Sequence, residues 1–490
     1  MKFVADLHLH SKYSRAVSGA MTLPNMAKWA KYKGISVLAT SDFTHPFWLE
    51  QLKNELEDTG NGLFKLKQTA VSGKQSAVSD VSFLLSCEVS SIYSQGGKGR
   101  RIHNLFFFPS FDSVDKFIKE LLRRRANLRA DGRPIVGISA RDLANIALLC
   151  DDKALIIPAH IWTPWFSVFG SFSGFDSIEE CFGDMAQYIY GIETGLSSDP
   201  FMNWQIGDLD SRTILSFSDA HSLPKMGREA TVFEANEVSY DCIYRAICRD
   251  LDNSENSESQ KVRISGKSDN QKVRQSEYSD NPRIAFTIEF YPEEGKYHFT
   301  GHRDCNFSQS PEESRKNGDI CPVCHRPLTV GVMHRVEDLK TRDPKLEIRN
   351  QDGVRWNYFE DNKQSLRSSA SPAGLKRPPY VSCVPLYEII AEALGVAPTS
   401  KKVEEIYITL INALGSEFSI LMKSDVIQIA RFSSQKVADG ISRVRSGNIV
   451  VEPGYDGKFG VVKIWNESGE AGDVEKEDVS QSESQLNLFA

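Results

Sequence analysis

Residues 2–10 read KFVADLHLH, and residues 214–221 read ILSFSDAH. Each is an apolar run of strand length that ends on imidazole or carboxylate side chains, His8 and His10 in the first, Asp219 and His221 in the second. A strand has a period of two, so His8 and His10 point the same way. Four more runs share this build: ISVLATSDFTH (35–45) with Asp42 and His45, VSFLLSCE (81–88) with Glu88, RIHNLFFF (101–108) with His103, and ALIIPAH (154–160) with His160. They are rich in β-branched, Leu or Phe residues, are bounded by Gly, Ser or Pro and are separated by helical stretches, so each reads as a buried strand. In a closed parallel barrel the strand C-termini open on one face. The pattern therefore predicts a single metal cluster whose ligands come from six separate strands.

At 490 residues and 40% hydrophobic content, the chain exceeds one ordinary core, and two to four domains are expected. No run of about 18 apolar residues exists to span a bilayer, and no membrane partner is expected. The ligand-bearing strand follows Met1 directly, leaving no room for a signal peptide. Nine cysteines without secretory spacing point to a reducing, cytoplasmic setting. The formal charge of −7 taken whole disfavours nucleic acid, but residues 467–490 hold seven acids against the single base Lys476. That tail contributes −6 and leaves the body at −1, where local basic patches can decide binding.

The expected organisation is α/β. A catalytic barrel spans 1–250, and a Ser/Asn/Glu/Lys-rich flexible linker or insertion spans 251–281. A Cys/His module covers 282–345. A mainly helical, DNA-binding region covers 346–465, with 3.6-residue periodicity in LYEIIAEALG, VEEIYITLINALG and VIQIARFSSQKVADGISRVRSG, and ends in the hairpin-like NIVVEPGYDGKFGVVKIW. Residues 346 to about 380 carry no readable pattern. A disordered acidic tail, 466–490, closes the chain.

Phosphoester hydrolysis needs an activated water and positive charge beside the phosphate oxygens, and clustered metals supply both. Imidazole with carboxylate suits Zn, Mn or Fe better than Mg alone. A second constellation, His302-x-x-Cys305 and Cys321-x-x-Cys324, has its two pairs separated by 15 residues and matches a tetrahedral structural zinc. His298 and His325 lie close by, and His302 is taken as the fourth ligand. The remaining cysteines have no partner spacing and read as small buried hydrophobes. Arg123, Arg124, Arg125, Arg129, Arg133 and Arg141 form a basic stretch suited to phosphate backbone. Trp162 and Trp165, with Phe166 and Phe169, follow His160 and suggest a stacking wall for an extruded base. The end of the tail, Gln485-Leu486-Asn487-Leu488-Phe489, resembles the bacterial sliding-clamp-binding peptide, in which Gln485 would anchor and Leu486, Leu488 and Phe489 would fill a pocket.

His8-x-His10, Ser41-Asp42, Glu88, His103, His160 and Asp219-x-His221 resemble the motifs of the polymerase and histidinol phosphatase (PHP) superfamily. The resemblance implies a distorted (β/α)7 barrel with two or three divalent metals. One would be held by His8, His10, Glu88 and Asp219, and a second by Glu88, His103 and His160. A third, if bound, would use His221 and a group near Asp42 or His45. The superfamily's ligand in the first loop falls near Arg15, which cannot coordinate. Glu193, in GIETG, is a candidate for orienting a ligand or the substrate.

With GHRDC...CPVCHRPLTVGVMHRVEDL, IWTPWFSVFGSFSGFDSIEECFGD and ADGISRVRSGNIVVEPGYDGKFGVVKIW, the chain resembles the endonuclease Q family. That likeness implies a repair nuclease that nicks damaged DNA on the 5′ side of deaminated bases (uracil, hypoxanthine, xanthine) and abasic sites, with Asp219, Glu88, His221 and Glu193 at the chemistry. The alternatives are a PHP-type small-molecule phosphatase, a polymerase-associated 3′ exonuclease and a non-catalytic clamp-tethered DNA scaffold.

Overall fold

A computed structural model describes residues 1–67, 80–248, 281–360 and 377–465. The N-terminal strands close a hydrogen-bonded circuit. β1 (Lys2–Asp6) runs parallel to β2 (Val37–Ala39). The short hairpin β3 (Leu56–Asp58) and β4 (Phe64–Leu66) hangs from the edge of β5 (Ser82–Gln95), which is parallel to β2. β6 (Lys98–Phe108) returns antiparallel to β5, and β7 (Ile135–Val136) adds a short parallel segment to β5. β8 (Leu155–Pro158) lies antiparallel to β6. The Ile161 N–H then donates to the Glu193 carbonyl at 3.1 Å, joining β8 to the parallel pair β9 (Gly191–Glu193) and β10 (Thr213–Leu215). Thr231 Oγ1 bonds both the N–H and the C=O of Ser216, bringing β10 to β11 (Ala230–Glu234), which pairs antiparallel with β1.

Strand period two sorts the side chains into two cores. Ala5, Val37, Ala39, Leu84, Leu105, Phe107, Leu155, Ile157 and Leu215 form one buried cluster. Their sequence neighbours Leu38, Phe83, Leu85, Phe106, Phe108 and Ile156 join another with the surrounding helices. Each fully buried Leu, Ile or Phe contributes roughly 1.5–3 kcal/mol, so a one-residue slip of any strand would be costly.

Two sequence expectations change here. RIHNLFFF is not a separate helix-connected strand: β5 and β6 are one long hairpin turned at Gly96-Gly97, whose φ values of 60° and 74° suit the tight primed turn. The run VSFLLSCE continues as the alternating VSSIYSQ, so Glu88 sits mid-strand rather than at a strand end. His103 likewise lies inside β6, opposite Ser90. The large sheet also extends beyond these N-terminal strands. β12 (Arg283–Glu289) pairs along its length with β11, and parallel to β17 (Tyr380–Ser382). The unpatterned segment after 345 contains the hairpin β15 (Lys345–Gln351) and β16 (Val354–Glu360), which extends the same sheet. The region expected to be mainly helical thus begins with strands, because Gly353 at φ 80° turns the chain back and Trp356 packs on Phe286 of β12. The linker and the acidic tail fall almost wholly outside the described residues.

Five helices follow, Leu386–Leu394, Lys401–Leu414, Glu417–Met422, Val426–Phe432 and Gln435–Ser446, then the hairpin β18 (Val450–Glu452) and β19 (Val461–Lys463). Ser400, Ser416, Asp425 and Ser434 each cap a helix by accepting from a first-turn N–H. This unit docks on helix Leu23–Lys33 of the barrel, where the buried Lys33 ammonium lies 2.7 Å from Glu417 Oε2. The contact is close: a Cβ on Gly34 would come within 2.5 Å of Ser416 Oγ.

Candidate metal centre

All nine ligand residues expected from the sequence are buried or half-buried, and seven of them fall into three overlapping groups. These are His8, His10 and Glu88; His10, Asp219 and His221; and Glu88, His103 and His160, each with its ligand atoms within 4.8 Å of one another. Glu88 is the hub. Its Oε2 faces His8 Nε2 (3.6 Å) and His10 Nε2 (3.3 Å), while its Oε1 faces His103 Nδ1 (2.5 Å) and His160 Nε2 (3.4 Å). A carboxylate turned both ways has the geometry of a bridge between two cations. Asp219 Oδ1 closes the first group, 3.6 Å from His8 Nε2 and 3.1 Å from His10 Nε2.

The opposite ring nitrogens are held. His8 Nδ1 lies 2.8 Å from Glu193 Oε1, His10 Nδ1 3.4 Å from Asp42 Oδ1, His160 Nδ1 3.1 Å from Thr163 Oγ1, and His221 Nδ1 2.9 Å from the Asp219 carbonyl. Fixing Nδ1 in this way orients the ring and leaves Nε2 to ligate. Four buried atoms, His8 Nε2, His10 Nε2, Glu88 Oε1 and Asp219 Oδ1, then have no hydrogen-bond partner. Unsatisfied buried polar atoms are costly, and four converging from β5 and from the segments that follow β1 and β10 fit divalent cations by donor chemistry, number and placement.

The electrostatics agree. Burial alone would lower the His8 and His10 pKa values, but Glu193 and Asp219 around His8, and Asp219, Asp42 and Glu88 around His10, raise both well above the ordinary range. Burial would raise Glu88 and Asp219, yet His103 and Arg133 hold Glu88 well below, and His8 and His10 hold Asp219 below. The carboxylates are ionised and the pocket draws positive charge. His103, desolvated, is lowered to about 4 and is neutral, whereas His8 and His10 must give up their protons to ligate.

Backbone strain marks the same places. Asp42, His160 and Asp219 all have positive φ, at 47°, 31° and 46°. His160 is pressed against Gly195, where a Cβ would fall 2.4 Å from His160 Cβ. That second Gly of GIETG is a functional residue the sequence reading left unnamed.

Other expected residues take different places. Asp42 joins no ligand group: its carboxylate accepts from Ser11 N (2.7 Å) and Ser14 Oγ (2.9 Å) and steadies His10. His45 also joins none, because its ring is stacked on Tyr13 at 4.5 Å. His221 instead groups with His10 and Asp219. Glu193 ligates nothing but holds His8 Nδ1 and accepts from the His160 N–H at 2.7 Å. Trp162 is core rather than a stacking wall: it is 1% exposed, packed on Phe169 and bonded through Nε1 to Asn203. Trp165 is half-buried, stacked face to face on the exposed Phe172. Arg123 and Arg124 both reach Glu120 and, with Arg125, line an open cavity of about 600 Å³. Arg129 lies over the exposed Phe47 ring at 6.0 Å. Arg141 is paired with Asp184 and Asp142.

His302, Cys305, Cys321 and Cys324 meet within 4.8 Å, with Cys324 Sγ 3.4 Å from His302 Nδ1. His302 ends β13 (Thr300–His302), Cys305 lies in the turn that leads to β14 (Phe307–Gln309), and a turn at Cys321–His325 supplies the other pair. Arg326 lowers the Cys324 thiol to about 6, favouring thiolate. His298 points elsewhere, buried and lowered to about 3 by desolvation.

Comparison with solved structures extends over the whole chain. It superposes on the lesion-specific endonuclease PfuEndoQ of Pyrococcus furiosus with a TM-score of 0.72 and 28% identity, covering 100% of both chains. Over its whole length the chain is similar to endonuclease Q. A second endonuclease Q structure, a complex with a 27-mer duplex bearing an abasic lesion at the active site, matches with a TM-score of 0.73 and 28% identity over 98% of this chain and 100% of that one. The family likeness reaches the uncharacterized protein YqxK of Bacillus subtilis, 27% identical over 94% of this chain and 99% of YqxK. It also reaches the uncharacterized protein MJ0043 of Methanocaldococcus jannaschii, 28% identical over 62% of this chain, which spans only 31% of MJ0043. A family model described as the MJ0043 C-terminal domain matches residues 385–448, the helical unit.

Proposed function

We propose that this protein is a metal-dependent DNA repair endonuclease that nicks the phosphodiester 5′ of deaminated bases and abasic sites. The observation that carries this reading is the set of four unpartnered buried ligand atoms around the bridging Glu88, on a chain that matches endonuclease Q over its full length. The circuit of strands is read as a PHP-type barrel. His8, His10, Glu88 and Asp219 would hold one divalent ion, Glu88, His103 and His160 a second, and His221 with Asp219 a third. Bound there, such ions supply positive charge beside the phosphate and make a water nucleophilic at neutral pH.

The chain's own residues do the rest. Glu193 and Asp42 fix the His8 and His10 rings, and the strained turns at His160 and Asp219 aim their side chains inward. His302, Cys305, Cys321 and Cys324 are read as a structural zinc site that braces the module beside the DNA. Arg123, Arg124, Arg125 and Arg129, with Trp165, are read as contacts to DNA backbone and bases. The Gln485–Phe489 peptide, outside the described residues, is read as a tether to a sliding clamp. Damaged pairs cost less to unstack, which contributes a few kcal/mol of selectivity at most.

The test is to incubate the protein with Mn²⁺ or Mg²⁺ and duplexes carrying uracil, hypoxanthine, xanthine or an abasic site, and to map the cut. A nick on the 5′ side is expected, abolished by His8→Ala or Asp219→Ala with DNA binding retained. Undiminished nicking by these variants would refute the assignment.

A further inference from the structure

Arg133 enters the metal centre by strand register. β7 pairs parallel with β5 so that Ile135 faces Ser90, and counting back two residues along each chain brings Arg133 beside Glu88. The Ser90 N–H donates to the Pro134 carbonyl at 3.0 Å, and the Arg133 N–H donates to Asp131 Oδ1 at 3.1 Å. The preceding Gly132 is clamped as well: its N–H bonds the Tyr13 carbonyl, Thr44 Oγ1 bonds its carbonyl, and a Cβ there would fall 2.6 Å from the Asp42 carboxylate. The loop therefore fixes the guanidinium at the mouth.

Its Nη1 lies 3.2 Å from Glu88 Oε2, the oxygen that faces His8 and His10. Glu88 is 1% exposed by side chain, whereas Arg133 is 28% exposed, so one end of the fork touches the hub and the rest faces the opening. Among the described residues, no other side-chain acceptor meets that guanidinium. Arg228, a second cation beside Asp219, is committed to the Ser218 and Asp219 carbonyls. An always-charged planar fork with free donors beside a cation-binding carboxylate suits a tetrahedral phosphate.

We propose that Arg133 holds a non-bridging oxygen of the scissile phosphodiester, next to the ions that Glu88 would help to hold. This rests on the nuclease reading and names the group that grips its substrate. In the reaction the water oxygen bonds to phosphorus, the bond to O3′ breaks, and the water's proton passes to solvent while O3′ is protonated. Arg133 neither gives nor takes a proton. It places fixed positive charge where negative charge grows on phosphorus-bound oxygen.

The experiment uses the full chain loaded with Mn²⁺. Arg133→Ala is expected to lower kcat on abasic duplex by about 10²- to 10³-fold, the range for removing one charge-stabilising donor. Bound metal stays unchanged, duplex affinity stays within about threefold, and added guanidinium chloride recovers part of the lost rate, as it would not for a merely structural residue. Inorganic phosphate, titrated by calorimetry into the Mn²⁺-loaded protein, should bind roughly tenfold or more weakly to Arg133→Ala. Arg133→Lys, expected to recover part of that affinity, serves where the Ala variant fails to fold. Nicking and phosphate affinity equal to wild type would overturn the proposal. So would loss of bound metal, which would make Arg133 a positioning residue for Glu88. If the wild type nicks no lesion, the nuclease reading falls, while the phosphate titration still decides on Arg133.

Discussion

The two candidate metal sites are built by opposite means. At the barrel mouth, ligands come from positions as far apart as His8 and His221, and strand register brings them together. In the Cys/His module, all four lie between 302 and 324 and are joined by tight turns. The mouth stands on a packed core of Ala5, Val37, Leu84, Leu105 and Ile157, so its shape exists before any ion arrives. The module buries few large side chains of its own, chiefly Leu328, Val332 and Val336, so an ion held there would be a structural member. Removing the cation should therefore cost reaction at the mouth and folding at the module.

Glu88→Gln is the hardest test of that contrast. Losing the bridging charge should lower nicking by on the order of 10³-fold or more, a barrier increase of about 4 kcal/mol, with the circular dichroism spectrum and thermal midpoint little changed. A collapse of stability instead would mean that the mouth, too, depends on its ions to fold. Cys321→Ser should do the reverse. Proteolysis between 298 and 339 should accelerate by roughly tenfold or more as the local unit opens, zinc content should fall by one ion, and the barrel metals should stay bound.

Gly195→Ala probes whether the mouth depends on backbone shape rather than on ligand identity. With φ at 63° and His160 in the way, the added methyl should displace that ring and lower nicking by about 10- to 100-fold, as for other supports of metal ligands. The smallest effect separates two buried carboxylates of the same sheet. Glu88 is surrounded by His103 and Arg133 and stays ionised, whereas Glu289 is raised to about 8 by desolvation, which outweighs the lowering by the Ser216 and Thr194 hydroxyls. A raised folded pKa means that the folded state holds the proton longer. Its stabilisation is complete below the unfolded value near 4.5 and is lost as pH climbs through about 8. The thermal midpoint should fall over that interval, by about 2–4 °C for each kcal/mol lost, and Glu289→Gln should flatten the profile.

Much of the mouth was legible in the sequence. The six strand-like runs and their His, Asp and Glu termini mark side chains of which the structure brings seven together, because burial of both sheet faces leaves continuous apolar runs, and polar residues in or beside them stand out. The knuckle spacing was still plainer, being purely local. Glu193, Asp42 and His45 were harder. A carboxylate that orients an imidazole has the same chemistry as one that ligates, and only the 2.8 Å contact of Glu193 with His8 and the stacking of His45 on Tyr13 separate the roles. Trp162 misled for a similar reason, since an indole after a ligand reads alike whether it bonds Asn203 inside or faces a base outside.

The amino-acid order alone determined which atoms can bind cations and which segments form strands, since side-chain chemistry and hydrophobic period are written residue by residue. Only the tertiary structure decided that β5 and β6 are one hairpin, that Glu88 faces two ways, that β7 carries Arg133 beside Glu88, and that β12 and the hairpin after 345 extend the barrel's own sheet. Those facts depend on which strand lies next to which. Pairing between distant strands is settled by the packing of the whole core, and the period within any single strand carries no record of its neighbour.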